Sequence, residues 1–118
     1  MKMAALPAGG GAIQGFRGRG FRVGGVDYPG GVVASAEGGA AWDATELDAI
    51  TEADLPSGEL DLLILGTGPT LCRAPPALTA AAAARGLAVE AMDSRAAART
   101  YNMLLAEGRR VAVALLPL

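Results

Sequence analysis

Histidine is absent from the chain, and cysteine occurs once, at Cys72. Without histidine, acid–base chemistry falls to a carboxylate, a lysine or a tyrosine. A single cysteine excludes an intrachain disulfide, and without histidine beside it no zinc ligand set can be assembled. A reactive cysteine needs a neighbouring cation and a base; Arg73 is adjacent to Cys72, but no imidazole exists in the chain, so the residue is read as an incidental or buried thiol. No catalytic residue, metal or cofactor is expected. Long apolar runs are also missing. The longest, near 80–84 and 111–116, fall well short of the roughly 20 residues that cross a bilayer as a helix. Strong charge of either sign is lacking too, the net charge being −2. Residues 1–58 hold four basic and seven acidic side chains, and residues 59–118 hold six and five. Neither half has the basic footprint of a nucleic-acid binder. The expected partners therefore exclude nucleic acid and a membrane span, and the expected location is cytoplasmic.

Hydrophobic residues make up 52% of 118 and charged residues 19%. This is enough for one domain with its own core. Residues 1–12 contain Lys2, Pro7 and Gly9 to Gly11. Their apolar part is too short and too broken for a leader, so they are expected to form a flexible lead-in to a domain at 13–118.

The domain opens with glycine-punctuated β structure. Phe16, Phe21, Val23 and Val26 alternate with Arg17, Arg19, Arg22 and glycines. Gly24-Gly25 predicts a tight hairpin, and Tyr28-Pro29-Gly30-Gly31 a second turn. Val32–Ala36 reads as a strand, and Trp42 as a core plug closing the next one. The three arginines read first as a solvated strand face or a guarded edge; an anion or partner patch is the alternative. Residues 43–59 are acidic. Thr51-Glu52-Ala53-Asp54 resembles a capping box opening a short helix. The carboxylates lack the spacing of a calcium loop, so the segment reads as a solvated connection.

From Leu60 the pattern changes. Leu62–Leu65 reads as a buried strand, Leu78–Arg85 as a helix entered through Pro75-Pro76, and Leu87–Ala91 as a strand. A second helix begins at Asp93 or Ser94, both good N-caps. Its apolar stripe is Ala97, Ala98, Tyr101, Leu104 and Leu105, and Gly108 ends it. Basic residues then follow the negative end of its dipole. Val111–Leu116 is a continuous apolar run, as in a strand covered on both faces, and should be central. This β-α-β-α-β order implies parallel pairing through right-handed crossovers. Helices should cover one face of that sheet, and the N-terminal antiparallel strands the other.

Gly66-Thr67-Gly68-Pro69-Thr70-Leu71 follows a strand as a phosphate-binding loop would. However, Leu71 replaces the third glycine, and prolines remove amide donors, so the loop reads first as a structural turn, with a small anion or metabolite site as the alternative. Gly66, Thr67, Gly68, Asp93 and Ser94 should nonetheless meet at the carboxyl ends of the parallel strands, the usual place for a site. Tyr101-Asn102 reads first as a hydrogen-bonded helix–sheet junction, with a pocket or partner-contact edge as the alternative. Arg95, Arg99 and Asn102 share the helix face turned from the apolar stripe. Two arginines beside an amide can fork a carboxylate, with N–H groups of the 66–68 loop joining them.

The block from Met92 to Leu104, containing Tyr101-Asn102, together with Glu107-Gly108-Arg109-Arg110-Val111-Ala112, resembles the signature of the Mth938-like (DUF498) domain family. That family includes mitochondrial complex I assembly factor 3. Leu62 to Gly68 is similar to its second signature, and Gly20 to Val33 with Trp42 to its N-terminal part. The resemblance implies an α/β three-layer sheet-sheet-helix sandwich. It marks Tyr101, Glu107, Gly108 and Arg109 as structural signature residues. It also implies a non-enzymatic accessory or assembly-type domain whose partner is another protein. Two further readings stay open: a small-molecule or anion-binding module at the 66–68 loop and the Arg95–Asn102 face, and an uncharacterised enzyme.

Cys72→Ser is expected to abolish no hydrolase, dehydrogenase or transferase activity. A broad substrate screen of both proteins checks this, and a single activity lost on substitution would overturn it.

Overall fold

The computed structural model describes residues 10–118, so most of the expected lead-in lies outside the described residues. Up to Trp42, short apolar runs cut by glycines form five strands: β1 (Ile13–Arg17), β2 (Gly20–Val23), β3 (Val26–Tyr28), β4 (Gly31–Ser35) and β5 (Gly38–Trp42). Gly24 and Gly25 both take left-handed backbone, with φ of 58° and 80°. Such a two-residue turn matches the twist of the strands it joins. The acidic connection holds two 3₁₀ turns, Leu47–Ala49 and Glu52–Asp54. The second carries the expected capping box, Asp54 accepting from the Thr51 N–H at 2.8 Å. Beyond it run β6 (Leu62–Gly66), α1 (Pro76–Ala83), β7 (Ala88–Met92), α2 (Ser94–Ala106) and β8 (Val111–Leu115).

Two sheets result, one in the order β1-β2-β3 and one in the order β5-β4-β8-β6-β7. β8 is central as expected. It pairs with β6 in parallel and β4 antiparallel, and all five of its residues are buried. Alternation along β8 explains its unbroken apolar run. Val111, Val113 and Leu115 join one core, and Ala112 and Ala114 the other.

The layers differ from expectation in two ways. First, β4 and β5 extend the main sheet rather than the second layer, with Val32 opposite Leu115. Second, the helices do not share a face. α2 lies with the β1–β3 sheet against one face, where Phe21, Val23, Ala97, Ala98 and Tyr101 meet Ile64 and Val113. α1 lies on the other, where Leu78 and Ala82 join Trp42, Ile50 and Leu55 over Leu63 and Leu65. Strand order supplies the reason. The chain moves from β6 outward to β7, then back past β6 to β8. Two right-handed crossovers running in opposite directions place their helices on opposite faces.

β1 carries a bulge that serves this packing. Its register jumps between Ile13↔Val23 and Gly15↔Arg22, leaving Gln14 unpaired. Three positions apart, Ile13 and Phe16 would otherwise face opposite ways; the extra residue turns both toward the core. Phe16 then meets Phe21 edge-on at 5.9 Å. Tyr101, fully buried, fixes the start of this segment by donating its hydroxyl to Gly11 O at 2.8 Å.

Tyr101→Ala is expected to cost about 3–5 kcal/mol in denaturant melts. Tyr101→Phe should cost about 1 kcal/mol, the hydrogen bond alone. Burial pushes the Tyr101 phenol above its ordinary value. Its neutral form is therefore favoured in the fold, and its contribution is complete below about pH 10 and falls as pH rises further. Alkaline melts should show the wild type losing stability above that pH more steeply than Tyr101→Phe.

Candidate functional site

At the carboxyl end of the main sheet, β6 leaves toward α1 on one face and its neighbour β7 toward α2 on the other. Such a divergence opens the crevice where α/β sheets hold ligands. The sequence-derived residues do converge here. Thr67 N donates to Met92 O at 2.8 Å, and Ser94 N to Gly68 O at 2.8 Å. Gly68 N donates to Ser94 Oγ at 2.9 Å, and that hydroxyl donates to Leu116 O at 2.8 Å. Leu116 N closes the knot on Gly66 O at 2.9 Å. A Cβ on Gly66 would stand 2.9 Å from Ser94 Cα, so only glycine admits the helix start this closely.

The knot changes the role of the loop. The N–H groups of Thr67 and Gly68, expected to face an anion, are both engaged by the protein. The Thr67 hydroxyl accepts from Cys72 N at 3.0 Å and lies 2.7 Å from Thr70 O, to which it donates. Asp93 caps α2, its carboxylate accepting from Ala96 N at 3.0 Å. Ser94 fills the crevice with its own side chain, and it is fully buried. Among the described residues no buried side-chain nitrogen or oxygen lacks a partner.

Arg95 and Asn102 lie on the flank of α2 beside β1, and Arg99 is exposed. Asn102 is a clasp rather than a free ligand. Its amide donates to Ile13 O at 2.8 Å and its carbonyl accepts from Ile13 N at 2.8 Å. Helix geometry accounts for the difference. Asn102 lies seven residues, almost two whole turns, beyond Arg95 on the flank against β1. Arg99 lies about 40° further toward solvent. Arg95 is exposed, with its guanidinium carbon 4.8 Å above the centre of the Phe16 ring.

A groove of about 600 Å³ lies at the opposite end of the sheet. Glu37 of the β4–β5 turn, Glu59, Leu60, Leu105, Arg109 and Arg110 line it. The signature residue Gly108 ends α2 here with φ 80°. Arg109 N donates to Leu104 O at 3.1 Å, satisfying a terminal carbonyl. Arg110 holds Asp61 in two hydrogen bonds of 2.9 and 3.0 Å, with Glu59 at 3.5 Å. The Asp61 hydrogen bond, with its charge, favours the charged guanidinium. Glu107 is the C-cap of α2, and among the described residues no ion pair engages it. Sequence reading missed the groove because its walls come from four segments, none with a periodic signal.

The model of a protein family of unknown function, DUF498/DUF598, matches residues 13–116. An uncharacterized protein of Rhodobacter capsulatus is 39% identical over 83% of this chain and 77% of its own length. The NADH dehydrogenase [ubiquinone] 1 alpha subcomplex assembly factor 3 of Bos taurus is 30% identical over 89% of this chain. The match spans 60% of that protein's length. The solution structure of a Mth938-like domain from Bordetella pertussis superposes with a TM-score of 0.78 at 30% identity, covering 99% of this chain and 92% of that one. Among the described residues, no helix is long and apolar enough to cross a membrane.

Ser94→Ala should strand a buried N–H at Gly68 and a carbonyl at Leu116. The expected loss is about 2–4 kcal/mol, read from the midpoint of a urea melt at unchanged slope. A loss below that of an average surface substitution would mean that the knot is slack.

Proposed function

The chain belongs to the DUF498/DUF598 family, with the fold of a Mth938-like domain, and on that premise we propose that it is a non-enzymatic accessory domain of the assembly type, acting in the cytoplasm by binding another protein. One observation carries this reading. The crevice where an α/β fold ordinarily holds a substrate is closed by the protein's own Ser94 hydroxyl and backbone. What the molecule presents instead is surface. Arg95, Arg99 and Met103 form one exposed ridge along α2, and Met103 is 57% exposed. The assembly factor of Bos taurus, similar over most of this chain, supports the reading by kinship; its own partners are not carried over. The sequence-derived pairing of the 66–68 loop with the arginines gives way to the ridge alone, because the loop's donors are occupied.

A second reading, a small-molecule module, is favoured by the groove at the other end of the sheet. Its charged residues of both signs would suit a ligand carrying both.

Replacing Arg95 and Arg99 together by alanine should move the melting curve by no more than about 0.5 kcal/mol in stability and abolish capture of a partner from native cell extract. Replacing Glu37 and Arg109 together should leave capture intact. Capture that survives the arginine replacements at ordinary and raised salt would place the interface elsewhere.

A further inference from the structure

We propose that the face of α2 beside β1 takes an extended, acidic segment of a partner protein, its carboxylates received by Arg95 and Arg99. This rests on the docking function above and names the chemistry of the partner. Phe16 organises this face. The Arg95 guanidinium lies over its ring, while Arg17 donates from Nη1 to its carbonyl oxygen at 2.9 Å. Arg17 itself runs along the other face of the strand, its Nη1 beside Gly15 and its Nε toward Asp27, so only Arg95 is seated on the ring. A guanidinium stacked on a ring keeps its N–H edge directed sideways, available to an oxyanion.

The local charge is not balanced from within. Asp27 serves two arginines at once, Arg22 at 2.9 Å and Arg17 at 3.6 Å. Among the described residues no ion pair engages Arg95 or Arg99. The nearest acid in sequence, Asp93, is occupied as the α2 cap. The acidic stretch Asp43, Glu46, Asp48, Glu52 and Asp54 belongs to the connection whose Ile50 and Leu55 pack with α1 on the other face of the sheet, so it cannot neutralise this one. Arginines one helical turn apart repel each other slightly, and a shared anionic partner relieves that repulsion.

Spacing selects an extended peptide over an isolated anion. Arg95 and Arg99 are separated by about 6 Å along the helix axis. Alternate residues of an extended strand are about 6.8 Å apart on one side. Glutamates at every second position would therefore meet the two arginines in turn. The net charge of −2 argues against long-range attraction of nucleic acid.

The test is an NMR titration of the full chain with a peptide alternating Glu and Ser, beside a peptide alternating Gln and Ser and beside inorganic phosphate. The expected result is a shift of the Nε–H signals of Arg95 and Arg99 with the Glu peptide only. Binding should weaken at raised salt and at least tenfold in the R95Q/R99Q variant, and be unchanged in R109Q. Equal binding by that double variant or by the Gln peptide would overturn the proposal. So would phosphate binding as tightly as the Glu peptide, which would mark a small-anion site. Self-association of the free protein, abolished by the same variant, would identify a second copy as the occupant and also overturn it. If the Glu peptide fails to bind while extract capture still requires Arg95 and Arg99, the acidic-segment inference falls and the docking function stands. A peptide that binds while capture ignores both arginines overturns both.

Discussion

The handedness of crossovers governs the architecture. β8 returns past β6 instead of continuing beyond β7, so the two helices are forced to opposite faces. With only α2 on its face, half of that face remains uncovered, and the small sheet of β1, β2 and β3 fills it. Trp42 and the two 3₁₀ turns complete the cover beside α1 on the other. The same reversal creates a crevice at the strand ends, where Ser94 becomes necessary. The polar groups of two diverging loops meet in a place water barely reaches, and each must find a partner.

Two adjacent residues of α2 hold the small sheet in place. Tyr101 reaches Gly11 and Asn102 grips both polar groups of Ile13. The bulge at Gln14 and the glycine hairpin then direct Phe16 and Phe21 into the core. The pair Tyr101-Asn102 is thus the joint between two layers.

Much of this was legible in the sequence. The strand at Val111–Leu115, the helix cap at Asp93, the turn at Gly24-Gly25 and the meeting of Gly66–Gly68 with Ser94 each rest on local pattern. The layer assignment was not legible, because periodicity is blind to the order in which strands pair. The direction of the Thr67 and Gly68 N–H groups was equally hidden. Whether a loop donor faces inward or outward depends on a hydroxyl 26 positions away, at Ser94. Tyr101-Asn102 reads as a hydrogen-bonded helix–sheet junction, but the identity of its partner was hidden, because β1, more than 80 residues earlier, leaves no trace in the helix pattern.

The grip of Asn102 on Ile13 has a consequence for solubility. β1 is an outer strand of its sheet, and outer strands offer unpaired N–H and C=O groups to any passing chain. An amide side chain presents one donor and one acceptor, the same pair a neighbouring strand would present. Asn102 therefore stands in for one residue of a missing strand and denies that position to another molecule. A chain lacking this amide would carry a templating edge next to an aromatic cluster, and its hazard would be polymerisation through β1 rather than loss of the fold.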